Sequence, residues 1–282
     1  MTFSIVAADV AAGQLGAAVQ SRFLAVGALV PWARAGIGAV ATQALADVTF
    51  GPRGLAALER GLDPASVIDE LLAGDPLREQ RQVGVVAADG RSASFTGSEC
   101  FDHASSRVGD GFAAQGNILA GQAVVDRLET AFLATAGRPL PERLLAALEA
   151  AQAAGGDRRG QESAALVVVK PGGGYGGNHD RWLDLRVDAH PRPIEELGRL
   201  LGLHRLYFDR PDRADLIPVD DTLRAELAAS IERFGYSPPG TPFGAALFAY
   251  LGWENLEERW IDADRIDPVV LHYIREHEGE GR

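Results

Sequence analysis

Cysteine, lysine and methionine each occur once in this 282-residue sequence, as Cys100, Lys170 and Met1. A lone cysteine excludes an internal disulfide and a zinc site built from several thiolates. The other 26 basic residues are arginines, so lysine-dependent chemistry has one candidate. Long apolar runs are missing too. The stretch from Phe23 to Trp32 is interrupted by Gly27 and Pro31, and nothing is long enough to span a membrane. No basic-then-apolar leader is present, so a cytoplasmic address is expected. Excess positive charge is lacking, since the net charge is −12, and an extended nucleic-acid surface is not expected. The six histidines show no metal-ligand spacing. PGGGYGG, residues 171–177, lacks the Lys-Ser/Thr of a phosphate loop and reads as a hairpin turn. Neither a metal nor a cofactor is expected.

Apolar residue types make up 46% of the chain, enough for a substantial core. The first half reads as short strands joined by glycine turns: Thr2–Ala8, Gln14–Gln20, Gly27–Val30 and Ile37–Gln43. Val83–Ala88 and Ser92–Thr96 flank Asp89-Gly90, a strong hairpin signal. FSIVAA, residues 3–8, is apolar or small on both alternating faces, which implies a strand covered on both sides. Leu55, Leu58 and Leu62 carry a helical spacing. Asp63-Pro64 opens a helix, and another runs from Pro141 to Gly155-Gly156. Ser163–Val169 and Trp182–Val187 read as further strands. The order predicts an α+β body with largely antiparallel sheets.

After Pro211 the character changes. Helical patterns near 219–234, 242–260 and 267–277 follow, with Leu247 and Leu251 on one face and Trp253, Leu256 and Trp260 on another. Residues 212–282 hold 15 acidic and 7 basic residues, a net of −8. This predicts a small helical domain at 209–282 behind a larger one at 1–208.

Several residues are candidates for chemistry. Thr2 follows a methionine that is removed when the next residue is small. Its hydroxyl would then lie beside its own α-amine, whose pKa of about 7.7–8.0 suits a base at working pH. A small residue at position 2 is common, so the spacing alone does not select this reading. In AGGDRRGQESAALVVV, residues 154–169, Asp157 with Arg158 or Arg159 positions a nucleophile, holds a carboxylate-bearing substrate, or makes an ordinary surface ion pair. Asn117, in AAQGNIL, either donates to a developing oxyanion or caps the apolar helix that follows. Gln43, Arg81 and Gln82 are polar groups at strand ends, and Ser21 and Ser4 are hydroxyl alternatives to Thr2. Cys100 and His103, in ECFDH, form a cysteine–histidine alternative, although a lone cysteine is more often a buried filler. GWENLEERW reads as helix core with a solvated face.

MTFSIVAAD, GQLGAAVQSRFLAVG, GIGAVATQ, RQVGVVAADG, QGNIL and AGGDRRGQESAA, in this order, resemble domain-of-unknown-function family 1028, grouped with the N-terminal nucleophile (Ntn) hydrolases. The likeness covers about residues 1–190. Residues 212–282, chiefly GWENLEERW and IDPVVL, resemble a small peptidoglycan-binding-like domain. The resemblance implies a four-layer αββα sandwich whose first strand lies in a central sheet, and cleavage of an amide bond in a small or peptide-like substrate. Carried to this chain, the nucleophile is Thr2 after loss of Met1. Asn117 becomes the oxyanion donor, with Asp157 and Arg159 beside it. Ser21, Gln43, Arg81, Gln82 and Ser163 become substrate-binding groups. The chain departs from proteasome-like members, because Lys170 lies beyond its strand and Arg22 or Arg81 would have to supply positive charge. A non-catalytic binding protein whose tail recognises peptidoglycan fragments or a protein partner is the rival expectation, and homo-oligomerisation is left open.

Overall fold

The computed structural model describes residues 2–277. The chain divides into two compact units, Met1–Leu201 and Gly202–Arg282. The described residues form a mixed α/β structure with eight α-helices, and every strand pairing is antiparallel.

In chain order the first unit comprises β1 (Thr2–Asp9), β2 (Gln14–Ser21), β3 (Pro31–Arg34), β4 (Gly38–Ala44), α1 (Phe50–Glu59), α2 (Pro64–Leu72), β5 (Arg81–Ala87) and β6 (Ser92–Thr96). It continues with β7 (Ser105–Gly109), β8 (Phe112–Asn117), α3 (Ala123–Ala134), α4 (Leu140–Ala153), β9 (Ser163–Val169), β10 (Arg181–Val187) and α5 (Pro193–Phe208), whose last residues belong to the second unit. One sheet has the order β10-β9-β2-β1-β8-β7 and the other β3-β4-β5-β6.

Strand alternation sorts β1 onto two apolar surfaces. Phe3, Ile5 and Ala7 pack with Val124 and Leu128 of α3, Leu144 and Leu148 of α4, and Ile194 and Leu197 of α5. Val6 and Ala8 instead meet Val19 of β2, Ala39 and Ala41 of β4, and Val86 of β5, so the two sheets face each other. The far side of the second sheet, with Val40, Val83 and Val85, packs on Phe50 and Leu55 of α1 and Val67 and Leu71 of α2. Full burial of each valine, leucine, isoleucine or phenylalanine among these contributes about 1.5–3 kcal/mol, and each alanine less. The doubly covered first strand expected from FSIVAA is therefore present.

Local differences from the sequence reading have physical causes. Residues 27–30 are not a strand. Ala25 takes a left-handed φ of 51° and leads into a 3-10 turn at Val26–Ala28, and the strand starts at Pro31. Asn117 does not cap a helix, because it ends β8 and α3 begins only at Ala123. Leu62 lies beyond the end of α1, yet packs with the same cluster as Leu55 and Leu58.

The second unit contains β11 (Ile217–Pro218), α6 (Asp221–Phe234), α7 (Phe243–Trp253), β12 (Arg265–Ile266) and α8 (Pro268–Glu276) around Leu227, Ile231, Leu247, Tyr250, Leu251, Val270 and Ile274. The single helix expected at 242–260 stops at Trp253, because Asn255 adopts a left-handed φ of 58°. Arg259 and Asp267 form a buried ion pair at 2.5 Å, and the guanidinium also donates to the carbonyls of Leu206 and Arg205.

Candidate functional site

Register brings four polar residues into one row across the larger sheet. Thr2 pairs with Asn117 of β8 on one side and Ser21 of β2 on the other, and Ser21 pairs with Ser163 of β9. All four are buried. Thr2 Oγ1 lies 3.2 Å from Ser21 Oγ, which also accepts from the Phe23 N–H at 3.0 Å. Ser163 Oγ donates to the Phe23 carbonyl at 2.5 Å and accepts from the Val26 N–H at 3.0 Å.

The smaller sheet offers a matching row, in which Gln43 pairs with Gln82 and Gln82 with Thr96. Hydrogen bonds join the two rows. Gln43 Nε2 donates to Gln82 Oε1 at 2.8 Å and to the Thr2 carbonyl at 3.2 Å. Asn117 Nδ2 donates to the same Gln82 oxygen at 2.9 Å. Gln82 Nε2 donates to the Gly116 carbonyl at 2.9 Å and to Thr96 Oγ1 at 3.0 Å. One level deeper, Ser4 Oγ donates to Gln43 Oε1 at 2.6 Å and accepts from Gln115 Nε2 at 2.7 Å. The Gln115 amide crosses between the sheets only because residue 84 is glycine, where an added Cβ would sit 2.2 Å from Gln115 Oε1. Buried polar groups are costly unless paired, and here they pair mainly with one another.

Asp157 lies just beyond the Thr2 end of β1, between the continuations of β2 and β8, where it bridges Leu119. Its carboxylate is fully covered, accepting from the Arg22 N–H at 3.0 Å and the Arg159 N–H at 2.8 Å, with the Arg159 guanidinium at 3.5 Å. Backbone strain gathers at the same strand ends. Ala44, directly after Gln43, has φ 67°, and Ile118, directly after Asn117, has φ 50°. A left-handed β-branched residue is unusual, and such strain concentrates at functional sites.

The structure therefore brings together Thr2, Ser21, Gln43, Gln82, Asn117 and Ser163, with Asp157 beyond the Thr2 end of β1. Arg81 is directed elsewhere. Its guanidinium pairs with Asp75 at 2.8 Å and donates to the Leu45 carbonyl, and this pairing holds the Asp75 carboxyl below its ordinary range. Arg22 is held by Glu162, and Lys170 lies 3.8 Å over the Trp182 ring. Cys100 donates to the Arg81 carbonyl at 3.4 Å, and burial pushes its thiol pKa up, the reverse of what a nucleophilic thiol needs. Sequence reasoning missed Gln115. Its alternation with Asn117 was the available signal, since both belong to one face of β8.

Among the described residues no three His, Cys, Asp or Glu side chains gather as a metal site requires, and no helix is long and apolar enough to cross a membrane. A groove of about 440 Å³ opens near the opposite end of β1, lined by Asp63, Arg91, Ser92, Gly109 and Asp110. The Asp63 carboxylate there is taken up in capping α2, and Arg91 pairs with Asp89.

These features define a mixed α/β protein with a buried polar site between two antiparallel sheets. Residues 2–197 match the family described as "Family of unknown function (DUF1028)", and the chain belongs to that family. Residues 207–274 match the family described as "Putative peptidoglycan binding domain". The crystal structure of protein SPO2555 from Silicibacter pomeroyi, described as a member of DUF1028, is similar at 32% identity. The match covers 72% of this chain and 89% of that one, with a TM-score of 0.65. A comparison with curated proteins found no match.

Proposed function

We propose that the chain is an Ntn-type amide hydrolase acting on a small amide or peptide-like substrate, with its first unit an αββα sandwich of that class. The observation that carries this reading is the position of Thr2. It opens a central strand, its hydroxyl is 3.2 Å from Ser21 Oγ, and Asn117 is its register partner. A nucleophile needs this fixed placement.

Loss of Met1 frees the Thr2 α-amine. The amine takes the hydroxyl proton as Oγ1 attacks the substrate carbonyl, and the second amide N–H of Asn117 donates to the oxyanion. The protonated amine then delivers its proton to the departing amine as the C–N bond breaks, leaving an ester on Thr2. Water, deprotonated by the same amine, hydrolyses the ester and restores the threonine. Asp157 and Arg159 hold the flanking turn, while Gln43, Gln82 and Ser163 fix the rows. Screening an amide and N-acyl amino acid library against wild type and Thr2→Ala tests the reading. Hydrolysis by wild type alone supports it, and equal hydrolysis by both proteins overturns it.

The match over residues 207–274 favours a second role, uptake of cell-wall fragments by the tail. The net charge of −8 over residues 212–282 disfavours acidic peptide stems. Retention of isolated muropeptides by the full chain supports this role, and absence of retention removes it.

A further inference from the structure

Exposed apolar side chains crowd the end of the sheets that carries Thr2. Of the ten large apolar side chains exposed in residues 2–201, six stand on loops at this end: Phe23, Leu24, Leu45, Val48, Leu77 and Phe101. Phe101 is 74% exposed, Leu24 61% and Phe23 57%. Isolated apolar residues on a surface mean little, but a concentration of them marks a place of contact.

Short hydrogen-bonded links tie this rim to the buried rows. Phe23 bonds both Ser21 and Ser163 through its backbone. Leu45 directly follows the strained Ala44, and its N–H donates to the Gln80 carbonyl at 3.2 Å, beside the start of β5. The Phe101 carbonyl accepts from the Ile118 N–H at 3.0 Å, one residue from Asn117. The Ile118 carbonyl in turn accepts from the Arg158 N–H at 3.3 Å. Of the three arginines here, Arg22 is held by Glu162 and Arg159 by Asp157. The exposed Arg158 guanidinium has no ion-pair or hydrogen-bond partner among the described residues.

From this arrangement we infer that the site takes N-acylated amino acids carrying a long apolar acyl chain. The chain lies along the Phe23, Leu24 and Phe101 rim, and the free carboxylate pairs with Arg158. The inference rests on Thr2 as the attacking residue. An apolar chain covers the exposed rim side chains, and a guanidinium matches a carboxylate in shape and charge. Cleavage breaks the amide C–N bond, consumes one water and releases a long-chain carboxylic acid and a free amino acid.

Calorimetric titration of N-acetyl-, N-hexanoyl- and N-lauroylglycine into full-length Thr2→Ala separates recognition from turnover. Affinity is expected to rise about fourfold for each methylene covered by the rim. Phe101→Ser, made in the same background, should weaken lauroylglycine far more than acetylglycine. Arg158→Ala should weaken lauroylglycine about tenfold and leave uncharged lauroylglycinamide unchanged. Equal affinity along the series overturns the inference. So does a concentration-dependent dimer, abolished by Phe101→Ser, that shows no acyl-length dependence, since the rim would then be an interface between copies. Acyl-length-dependent binding in Thr2→Ala, without hydrolysis by the wild type, upholds the recognition and overturns the hydrolase reading instead.

Discussion

Gln43 and Gln82 face each other across β4 and β5, and the amide of one donates to the oxygen of the other at 2.8 Å. The Gln82 oxygen also receives Asn117, while its nitrogen donates to Gly116 and Thr96. Gln82→Glu would replace that donor with an acceptor facing a carbonyl. Destabilisation of about 2–3 kcal/mol at neutral pH is expected. Burial would raise the new carboxyl above its unfolded pKa of about 4.3. The penalty should therefore be small near pH 4 and grow as pH rises toward the folded pKa. Urea unfolding at several pH values measures it, and a pH-independent loss would contradict the network.

Activity through the Thr2 amine carries its own pH signature. The amine accepts a proton only when neutral, so kcat/KM should climb with pH through about 7.7–8.0. Thr2→Ala should abolish turnover and lower stability by only about 0.5–1.5 kcal/mol, the worth of one hydrogen bond. Mass spectrometry checks the premise, because an active enzyme with Met1 intact excludes an α-amine mechanism.

Ala44 holds a left-handed conformation at φ 67°. Relief of about 1–2 kcal/mol of strain in Ala44→Gly is partly offset by about 0.5–1 kcal/mol of glycine chain entropy. A net stabilisation of up to about 1.5 kcal/mol is expected. A lower urea midpoint would show that the strain is not borne there.

Asp75 anchors Arg81, and the side-chain hydrogen bonds from Arg81 depress its pKa below the ordinary 3.8. A depressed carboxyl stabilises the fold above its unfolded pKa, and the contribution is lost as pH falls through the folded value. Asp75→Asn should cost about 1–3 kcal/mol at pH 7. Its unfolding curve should merge with that of the wild type below the folded pKa. Persistence of the full difference at pH 2 would sink the assignment.

In the second unit, Asp267 meets Arg259 at 2.5 Å and caps α8 through the Val269 N–H at 2.9 Å. Asp267→Ala leaves a guanidinium buried without its carboxylate. A loss of about 3–5 kcal/mol is expected, read as faster hydrogen exchange across residues 202–277 of the full chain. Unchanged exchange there would refute it.

How far the sequence revealed this arrangement depended on side-chain size. FSIVAA announced a doubly covered strand because both of its faces carry only apolar or small residues. FAAQGN did not announce β8, because its small residues and glycine carry little alternation, and Asn117 read equally well as a helix cap. The helix at Pro193–Phe208 was missed although Ile194, Leu197 and Leu201 repeat at i, i+3 and i+7. Gln43 and Gln82 were legible as strand-end polar groups. Their meeting with Thr2 was not, because it arises where two sheets pack and no local spacing encodes it. The fate of Arg81 was hidden for the same reason, since Asp75 reaches it from a preceding turn.

The row Asn117–Thr2–Ser21–Ser163 draws each member from a different strand of one sheet. Segments 22–30 and 118–122 leave the ends of β2 and β8, 45–49 and 97–104 leave β4 and β6 of the facing sheet, and apart from the Leu119–Asp157 bridge all four are outside the β-ladders. Loops of this kind tolerate replacement while the scaffold beneath keeps its geometry. Segments 45–49 and 97–104, which contribute no side chain to the apolar core, are then the ones open to grafting, whereas Val26, Val30 and Leu119 tie 22–30 and 118–122 to the scaffold.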